Sequence, residues 1–399
     1  MIIKILIALI PIRKWRRKLR DKYKAKQNKK INKIFNDVLS GKYSTLSDDF
    51  IMKMNKIYNM KTLSPADEWG NYITSLFKNI SVFSINDSQL ADHVFIWGSA
   101  SWKPQPQLVC YAIDKKIPII RAEDGFLRSA DTWCNTVVNK KYTNGISFTF
   151  SNDVHYFDAT RSSLMERLIN NRTLTFSKEQ LSRARKCIDF IVKNYLTKYN
   201  HQPIYTPNIG REGVKKVLVV DQSYGDFSIS KGLANEHTFE KMLKAAIQEN
   251  PDADIIIKTH PDAMAAGTSR ATGYYSGYKP HDNVYTITTP INPISLLKYC
   301  DKVYVCTTQF GFEALMCGKE VHTFGMPFYA GWGLTKDALV CERRTNTRTL
   351  EEIFYIAYII YSHYVNPNTG AQCEIEEAMD YLLKLREEYF KEFNIRKDM

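Results

Sequence analysis

The chain contains few cysteines and lacks the common signatures of metal and phosphate-loop enzymes. Its 399 residues include eight cysteines, without a C-x-x-C pair or a Cys/His cluster at zinc spacing. This excludes a disulfide framework and a structural zinc site. No P-loop, G-x-G-x-x-G or H-E-x-x-H motif is present, and we expect no Asp-x-Asp that would hold a metal-chelated nucleotide diphosphate. These absences argue against P-loop NTPases, simple dinucleotide binders and zincins, and we expect neither a metal nor a cofactor.

The chain also has little net charge outside its amino terminus. The 55 Lys and Arg against 42 Asp and Glu give a net charge of +13, of which residues 1–30 carry +11 because they hold 12 basic residues and one acid, Asp21. Contacts with phosphates need clustered Lys and Arg, so the nearly neutral remainder argues against nucleic acid as a partner.

The basic amino-terminal arm, residues 1–30, opens with an apolar run that ends at Pro11. This run is about half as long as the ~20 residues needed to span a bilayer. Its cations follow the run, whereas a secretory signal places them before it. Apolar residues then recur at helical spacing: Ile12, Trp15, Leu19 and Tyr23. We expect a basic amphipathic helix on the anionic inner face of the cytoplasmic membrane, and hence a cytoplasmic, peripheral protein. Docking of this helix on the protein's own body is the alternative.

Short apolar runs alternate with amphipathic segments from Asp92 onward, which predicts an α/β fold with parallel sheets. The predicted strands are 93–97, 118–121, 145–150, 216–221, 254–259, 284–287, 302–306 and 321–324. A long helix is predicted over 178–196, a linker over 200–210 and a final helix over 373–393. We therefore expect two Rossmann-like halves that face a cleft. The predicted boundaries are an arm over 1–30, domains over 31–205 and 206–365, and a helix over 366–399 that packs back across them.

Charged residues follow the second predicted strand. Glu123 and Asp124 are adjacent acids beside a glycine, and Arg121 and Arg128 flank them. The carboxyl groups can act as a general acid or base, and the arginines can bind an anionic substrate. A turn with incidental charges is the alternative.

Two further carboxylates follow the first strand of the second half. Asp221 ends the strand and Asp226 lies beyond the flexible Gly225. We expect Asp226 to be the freer to meet substrate, while Asp221 can cap the turn in a mainly structural role.

A basic cluster, Lys258-Thr259-His260-Pro261, ends the next strand. The proline holds His260 in extended geometry, so its imidazole is well placed to bind a phosphate. A structural histidine at a strand end is the alternative.

Polar residues also stand between the strand 302–306 and the helix that follows it. Thr307, Thr308, Gln309 and Gly311 begin this helix, whose first N–H groups and dipole attract a phosphate. Glu313 in its first turn can reach a ribose. Ordinary helix capping is the alternative role for the two threonines, and both roles can coexist.

Three motifs resemble the bacterial capsule polysaccharide synthesis family of KpsC type. They are the segments 123–129, 258–261 and, most specifically, 327–335 with the sequence PFYAGWGLT. The resemblance runs from about Phe95 to Thr335 and implies a GT-B architecture. It also implies a retaining β-Kdo transferase that uses CMP-Kdo and adds Kdo to a capsule or lipopolysaccharide-type glycan or glycolipid acceptor.

The same resemblance implies roles for particular residues. Asp226 corresponds to the nucleophile that accepts the sugar, His260 to a ligand of the CMP phosphate, and Glu123 to a residue of the catalytic cleft. Thr307, Thr308 and Glu313 would surround the nucleotide. The carboxylate of Kdo would pair with Arg121, Arg128 or Lys258.

Two other functions remain open from the sequence alone. A sialyltransferase that uses a CMP-sugar shares an acidic-Gly motif, a His-Pro motif and hydroxyls at strand ends. A non-catalytic capsule export or assembly protein would use the arm to recruit partners at the membrane. KpsC resembles two such modules in tandem, whereas this chain has room for one.

Overall fold

The computed structural model describes most of the chain beyond residue 90. The described residues are 47–52, 62–64, 71–74, 80–82, 91–98, 105–133, 135, 138–259 and 272–397, with isolated positions between 22 and 37. The chain divides into two compact units, Met1–Ala122 and Glu123–Met399. Among the helices that the structure describes, none combines the length and apolar character needed to cross a bilayer.

The first unit contains a short parallel sheet. Its described elements are α1 (Asp48–Met52), β1 (Thr62–Ser64), β2 (Ile80–Val82), β3 (His93–Trp97), α2 (Gln105–Lys115) and the start of β4 (Ile119–Asp124). Strand β1 pairs in parallel with β2 and β3, and β3 pairs in parallel with β4. Buried Val94 and Ile96 of β3 pack with Leu108 and Val109 of α2, as expected for a strand and the crossover helix that follows it.

The second unit holds the rest of the described secondary structure. Its helices are α3 (Lys140–Thr143), α4 (Leu164–Asn170), α5 (Lys178–Lys193), α6 (Phe227–Lys231), α7 (Glu236–Glu249), α8 (Pro293–Tyr299), α9 (Phe310–Met316), α10 (Leu350–Phe354), a π-helix (Tyr355–Ile360) and α11 (Ile375–Glu392). Its strands after β4 are β5 (Ser147–Ser151), β6 (Lys216–Val220), β7 (Asp254–Lys258), β8 (Val284–Ile287), β9 (Lys302–Val305), β10 (Glu320–Thr323), β11 (Lys336–Asp337), β12 (Ser362–Asn366) and β13 (Ala371–Cys373).

Residues 206–349 form a half that we call the parallel half. Its six strands run in the order β11-β10-β9-β6-β7-β8, and every pair is parallel. The strands β6 and β7 are entirely buried, which explains why they read as continuous apolar runs. The chain leaves β6 toward β7 on one side and later returns to β9 on the other. This topological switch between β6 and β9 is where ligands bind in open α/β sheets.

Residues 123–205 and 350–397 form what we call the antiparallel half. Strand β12 pairs antiparallel with β5 and with β13, and neither β12 nor β13 was predicted. Helix α11 packs Leu385, Tyr389 and Phe390 against Ala130 and Tyr142. The chain therefore returns to this half before residue 365, the predicted domain boundary, which lies inside β12.

The eight strands predicted from apolar runs are all present, and each end lies within three residues of the prediction. Of the basic arm, only Lys22, Lys26 and Lys29 are described, and each is helical and exposed. The rest of the predicted amphipathic helix lies outside the described residues.

A buried ion network joins the two halves of the second unit. Glu166 of α4 in the antiparallel half pairs with Arg343 at 2.8 Å and Arg344 at 3.1 Å in the parallel half. The side chains of Glu166 and Arg344 are only 3% and 2% exposed. Arg344 also donates to the carbonyls of Pro327 at 2.6 Å and Ala330 at 2.7 Å. The segment 327–335, the most specific motif in the sequence, is thus folded around this arginine.

Glu166→Ala should destabilise the protein by about 3–5 kcal/mol, because it leaves the buried guanidinium of Arg344 without its counter-charge. Urea unfolding measures the loss. The control is Glu388→Ala, which removes the exposed pair with Lys141 and should cost less than about 1 kcal/mol. Equal losses of unfolding free energy in the two variants would contradict a stabilising role for the buried ion network.

Candidate active site

The loops that follow β6 and β9 meet at the topological switch of the parallel sheet. Gln222, directly after β6, donates from Nε2 to Thr307 Oγ1 at 2.9 Å, and its Oε1 accepts from the Thr307 N–H at 2.9 Å. These bonds tie the two loops together and leave the residues beyond them, Asp226 and Thr308, at the edge of the sheet where a ligand binds.

Glu123, at the end of β4, is a half-buried carboxyl group with a raised pKa. Its pKa is raised to about 7, chiefly by burial and then by the charges of Asp124 and Asp226, while the charge of Lys198 lowers it. The group keeps some exposed surface and is therefore accessible to a substrate. A carboxyl with a pKa near neutrality can take or give a proton at physiological pH.

Asp226 caps the amino terminus of α6. Its Oδ1 accepts from the backbone N–H of Ser228 at 2.8 Å and from the Ser228 hydroxyl at 2.7 Å. Among the described residues no hydrogen bond reaches Oδ2. The hydrogen bonds to Oδ1 thus fix the orientation of the carboxylate, while Oδ2 can react with a substrate. Asp226 belongs to the parallel half and Glu123 to the antiparallel half, and the charge of the first acts on the pKa of the second.

Asp124 and Arg128 pair with each other. The Arg128 Nε lies 2.7 Å from Asp124 Oδ1, with both side chains buried, and Arg128 Nη1 also donates to Ser129 Oγ at 2.9 Å. Each charge neutralises the other. Of the two adjacent acids, Glu123 is therefore more accessible to a substrate than Asp124. Arg121 is buried in the part of β4 that belongs to the first unit.

Asp221 anchors a neighbouring loop. Its carboxylate accepts from the N–H groups of Gln222 at 2.8 Å, Tyr274 at 2.9 Å and Tyr275 at 3.3 Å. A Cβ at Gly273 would overlap this carboxylate, so the loop needs glycine there. Burial raises the pKa of Asp221 to about 6 although the three hydrogen bonds lower it. These contacts match the structural role considered for Asp221 in the sequence.

Lys258 is a buried cation close to Asp221. Burial lowers the pKa of its ammonium group to about 8, against the attraction of Asp221. Its Nζ donates to the carbonyl of Thr259 at 2.9 Å. His260 lies outside the described residues, so its role on a phosphate stays a prediction.

The start of α9 is more constrained than its sequence suggests. The N–H of Phe310 bonds to Thr308 Oγ1 and that of Gly311 to the Thr308 carbonyl, each at 3.3 Å, so the predicted free N–H groups are partly used. The Tyr329 hydroxyl donates to the Thr308 carbonyl at 2.7 Å. A Cβ at Gly311 would overlap this hydroxyl, which explains the glycine.

Gln309 and Glu313 of this segment face the antiparallel half. Gln309 Nε2 donates to the carbonyl of Phe126 at 2.8 Å. Glu313 is buried, with a pKa raised to about 7 by burial and lowered in part by the backbone N–H and charge of Lys198 and by Gln309. Glu313 therefore lies at the contact between the halves, and its predicted reach to a ribose stays a prediction.

Lys198 is the site residue that the sequence analysis missed. It follows α5 in the antiparallel half, and its charge acts on both Glu123 and Glu313. No local pattern distinguishes it from other lysines, because its role arises from the contact between halves. Gln222 could have been found, since it directly follows Asp221 at a strand end.

Among the described residues, no three His, Cys, Asp or Glu side chains converge as a metal site. One Asp-x-Asp does occur in the chain, Asp252-Ala253-Asp254, but it lies at the amino end of β7, away from the switch. There Asp254 pairs with Arg211 at 2.8 Å and Lys216 at 3.1 Å. Asp254 therefore has a structural role, and metal independence stays a prediction.

Residues 204–368 match the family described as capsule polysaccharide biosynthesis protein. The capsule polysaccharide modification protein LipA of Neisseria meningitidis serogroup B is 38% identical over 309 residues, which are 75% of this chain and 42% of LipA. The lipopolysaccharide-processing protein LpsZ of Rhizobium meliloti is 36% identical over 67% of this chain and 59% of its own length. The chain thus spans less than half of LipA.

Two solved structures are similar over most of the chain. The Thermosulfurimonas dismutans KpsC β-Kdo 2,4 transferase has a TM-score of 0.70 and 34% identity, with 81% of this chain and 98% of that chain covered. The β-Kdo 2,7 transferase of the same KpsC has a TM-score of 0.57 and 25% identity, with 82% and 99% covered.

The buried Glu313 predicts a specific pH dependence of stability. Burial raises its pKa from 4.5 to about 7, so between these values the folded protein keeps a proton that the unfolded chain has lost. This contribution to stability is complete below about pH 4.5 and is lost as the pH rises through 7. Between pH 4.5 and 8.5, the free energy of unfolding of the wild type should therefore fall by roughly 3 kcal/mol relative to that of Glu313→Gln.

Urea unfolding of both proteins at pH 4.5 and 8.5 measures this difference. Glu212→Gln, at an exposed position, controls for the substitution itself. A constant difference between wild type and Glu313→Gln would show that Glu313 does not titrate from a buried state.

Proposed function

This chain belongs to the KpsC-type capsule polysaccharide biosynthesis family, and we propose that it is a β-Kdo transferase of GT-B-like architecture. It would move Kdo from CMP-Kdo to a capsule or lipopolysaccharide-type glycan acceptor with retention at the anomeric carbon. One observation carries the proposal: Glu123 and Asp226, from opposite halves of the second unit, lie close enough for their charges to interact. Retaining transfer through a covalent intermediate needs a nucleophile and a proton acceptor at one centre.

The roles of these two carboxyl groups follow from their surroundings. Asp226, fixed through Oδ1, attacks the anomeric carbon with Oδ2 while CMP departs with the bonding electron pair. The acceptor hydroxyl then attacks the same carbon from the other face, the ester to Asp226 breaks, and the hydroxyl proton passes to Glu123. Two inversions give net retention. Ionised Glu123 is available for this step near neutral pH because its pKa is about 7.

The donor's charges suggest where it binds. The leaving group, CMP, carries a single phosphate group, whose charge hydroxyls, a histidine and a lysine can stabilise without a metal. The candidates for this role are Thr308, Lys258 and His260. The carboxylate of Kdo also needs a cation. Because Arg128 is paired with Asp124 at 2.7 Å, Lys258 and Lys198 are better placed than Arg128 for that role.

Intact-protein mass spectrometry tests the nucleophile. Wild type incubated with CMP-Kdo in EDTA, without acceptor, should gain the mass of one Kdo residue, and fragmentation of its digested peptides should place that mass on Asp226. Asp226→Asn should gain none, although asparagine preserves the helix cap. Glu123→Gln should accumulate the adduct, because only the second step needs the base.

CMP-sialic acid is the control donor in this experiment and should give no adduct. An adduct that forms on Asp221, or one that persists in Asp226→Asn, would contradict the assignment of the nucleophile. A requirement for divalent metal would contradict the metal-independent mechanism.

The basic arm is the proposed membrane contact, on the inner face of the cytoplasmic membrane. Each Lys or Arg near an anionic surface contributes roughly 1 kcal/mol, an effect that salt weakens. Deletion of residues 1–30 should abolish co-sedimentation with anionic vesicles and leave adduct formation nearly unchanged. Gln at the six basic positions between 13 and 20 should weaken binding while retaining the apolar run. Binding that is indifferent to lipid charge would mean that the arm docks elsewhere.

A further inference from the structure

Two exposed aromatic side chains flank Asp226. Tyr224 is 51% exposed and Phe227 is 41% exposed. Only four other large hydrophobic side chains of the described residues are as exposed as this pair or nearly so: Trp133, Leu233, Val340 and Phe393. Consecutive Cα atoms are about 3.8 Å apart, so the Cα atoms of both residues lie within roughly 8 Å of that of Asp226. Two exposed aromatic rings beside one carboxylate offer apolar surface on which a ligand bound to that carboxylate can pack.

Both rings are supported by neighbouring side chains. The Tyr224 ring lies 5.0 Å from that of Tyr274, which stacks on Phe239 at 3.9 Å. The Phe227 ring lies 6.5 Å from that of Phe157, nearly perpendicular to it, and Lys231 Nζ lies 5.4 Å from its centroid. A ring held in this way loses little conformational freedom when a ligand stacks on its open face.

Lys231 also connects this region to the antiparallel half. It pairs with Asp158 at 3.1 Å, and its carbonyl accepts from the Ala159 N–H at 2.8 Å. Since Phe157 precedes Asp158, the Phe227 ring is packed against one half while its backbone belongs to the other. The ring's position therefore depends on the same contact between halves that brings Glu123 near Asp226.

We propose that Tyr224 and Phe227 form an aromatic platform for the ring of the transferred sugar while Asp226 holds it. This inference rests on the proposed function, which puts a covalently bound sugar within one or two residues of both rings. A pyranose ring has a face of C–H groups that packs on an aromatic ring, with its hydroxyl groups pointing outward. The acceptor approaches from the face opposite Asp226, so the platform serves the transferred sugar.

Binding of free Kdo tests the platform without any catalytic step. In saturation-transfer NMR with wild type, the ring protons of Kdo should receive saturation. Phe227→Leu and Tyr224→Leu keep an apolar side chain and lose the ring, and each should weaken Kdo binding roughly three- to tenfold. Tyr224→Phe keeps the ring and should retain most of the affinity.

Phe393→Leu is the matched control, since the ring of Phe393 is also exposed but contacts Tyr142 and Tyr389. Thermal melting checks that each variant is folded. Undiminished Kdo binding in both platform variants, no Kdo binding by wild type, or glucose bound as tightly as Kdo would each overturn the proposal. Absence of a Kdo adduct on wild type, in contrast, would contradict the transferase mechanism and leave this binding result to decide the platform.

Discussion

A buried carboxylate, Glu166, holds the two halves of the second unit together. It neutralises Arg344, and Arg344 in turn fixes the carbonyls of Pro327 and Ala330. Burying two charges costs free energy that only close pairing and further hydrogen bonds offset. The network is therefore favourable in one arrangement of the halves, and this arrangement also brings Glu123 close to Asp226.

The proposed active site concentrates ionisable groups in surroundings that disfavour charge. Burial raises the pKa values of Glu123, Asp221 and Glu313 and lowers that of Lys258. Such shifts oppose folding at neutral pH and recur at sites of proton transfer. The burial of the apolar strands β6 and β7 beneath these groups offsets this cost.

Local patterns were enough to predict the strands and the acids at their ends, because a strand that is buried on both faces has a continuous apolar sequence. The pairing of Asp124 with Arg128 was not predicted, because Arg128 was assigned to an anionic substrate and an i, i+4 spacing indicates a pair only on a helix. What depends on distant contacts was not predictable: β12 returns to β5, and Lys198 gains its role only where the halves meet. The segment 327–335 was recognised as a family motif, but its physical reason, the buried Arg344, appears only in the fold.

Folding brings the carboxyl groups of Glu123 and Asp226 close enough for the charge of Asp226 to raise the pKa of Glu123. Titration of 13C-labelled glutamate carboxyl groups by NMR measures this directly, with Glu123→Gln to assign the resonance. We expect Glu123 to titrate with a pKa of about 7 and Asp226→Asn to lower this pKa by removing a nearby negative charge. A Glu123 that titrates near 4.5 in wild type, or a pKa unchanged by Asp226→Asn, would contradict this expectation.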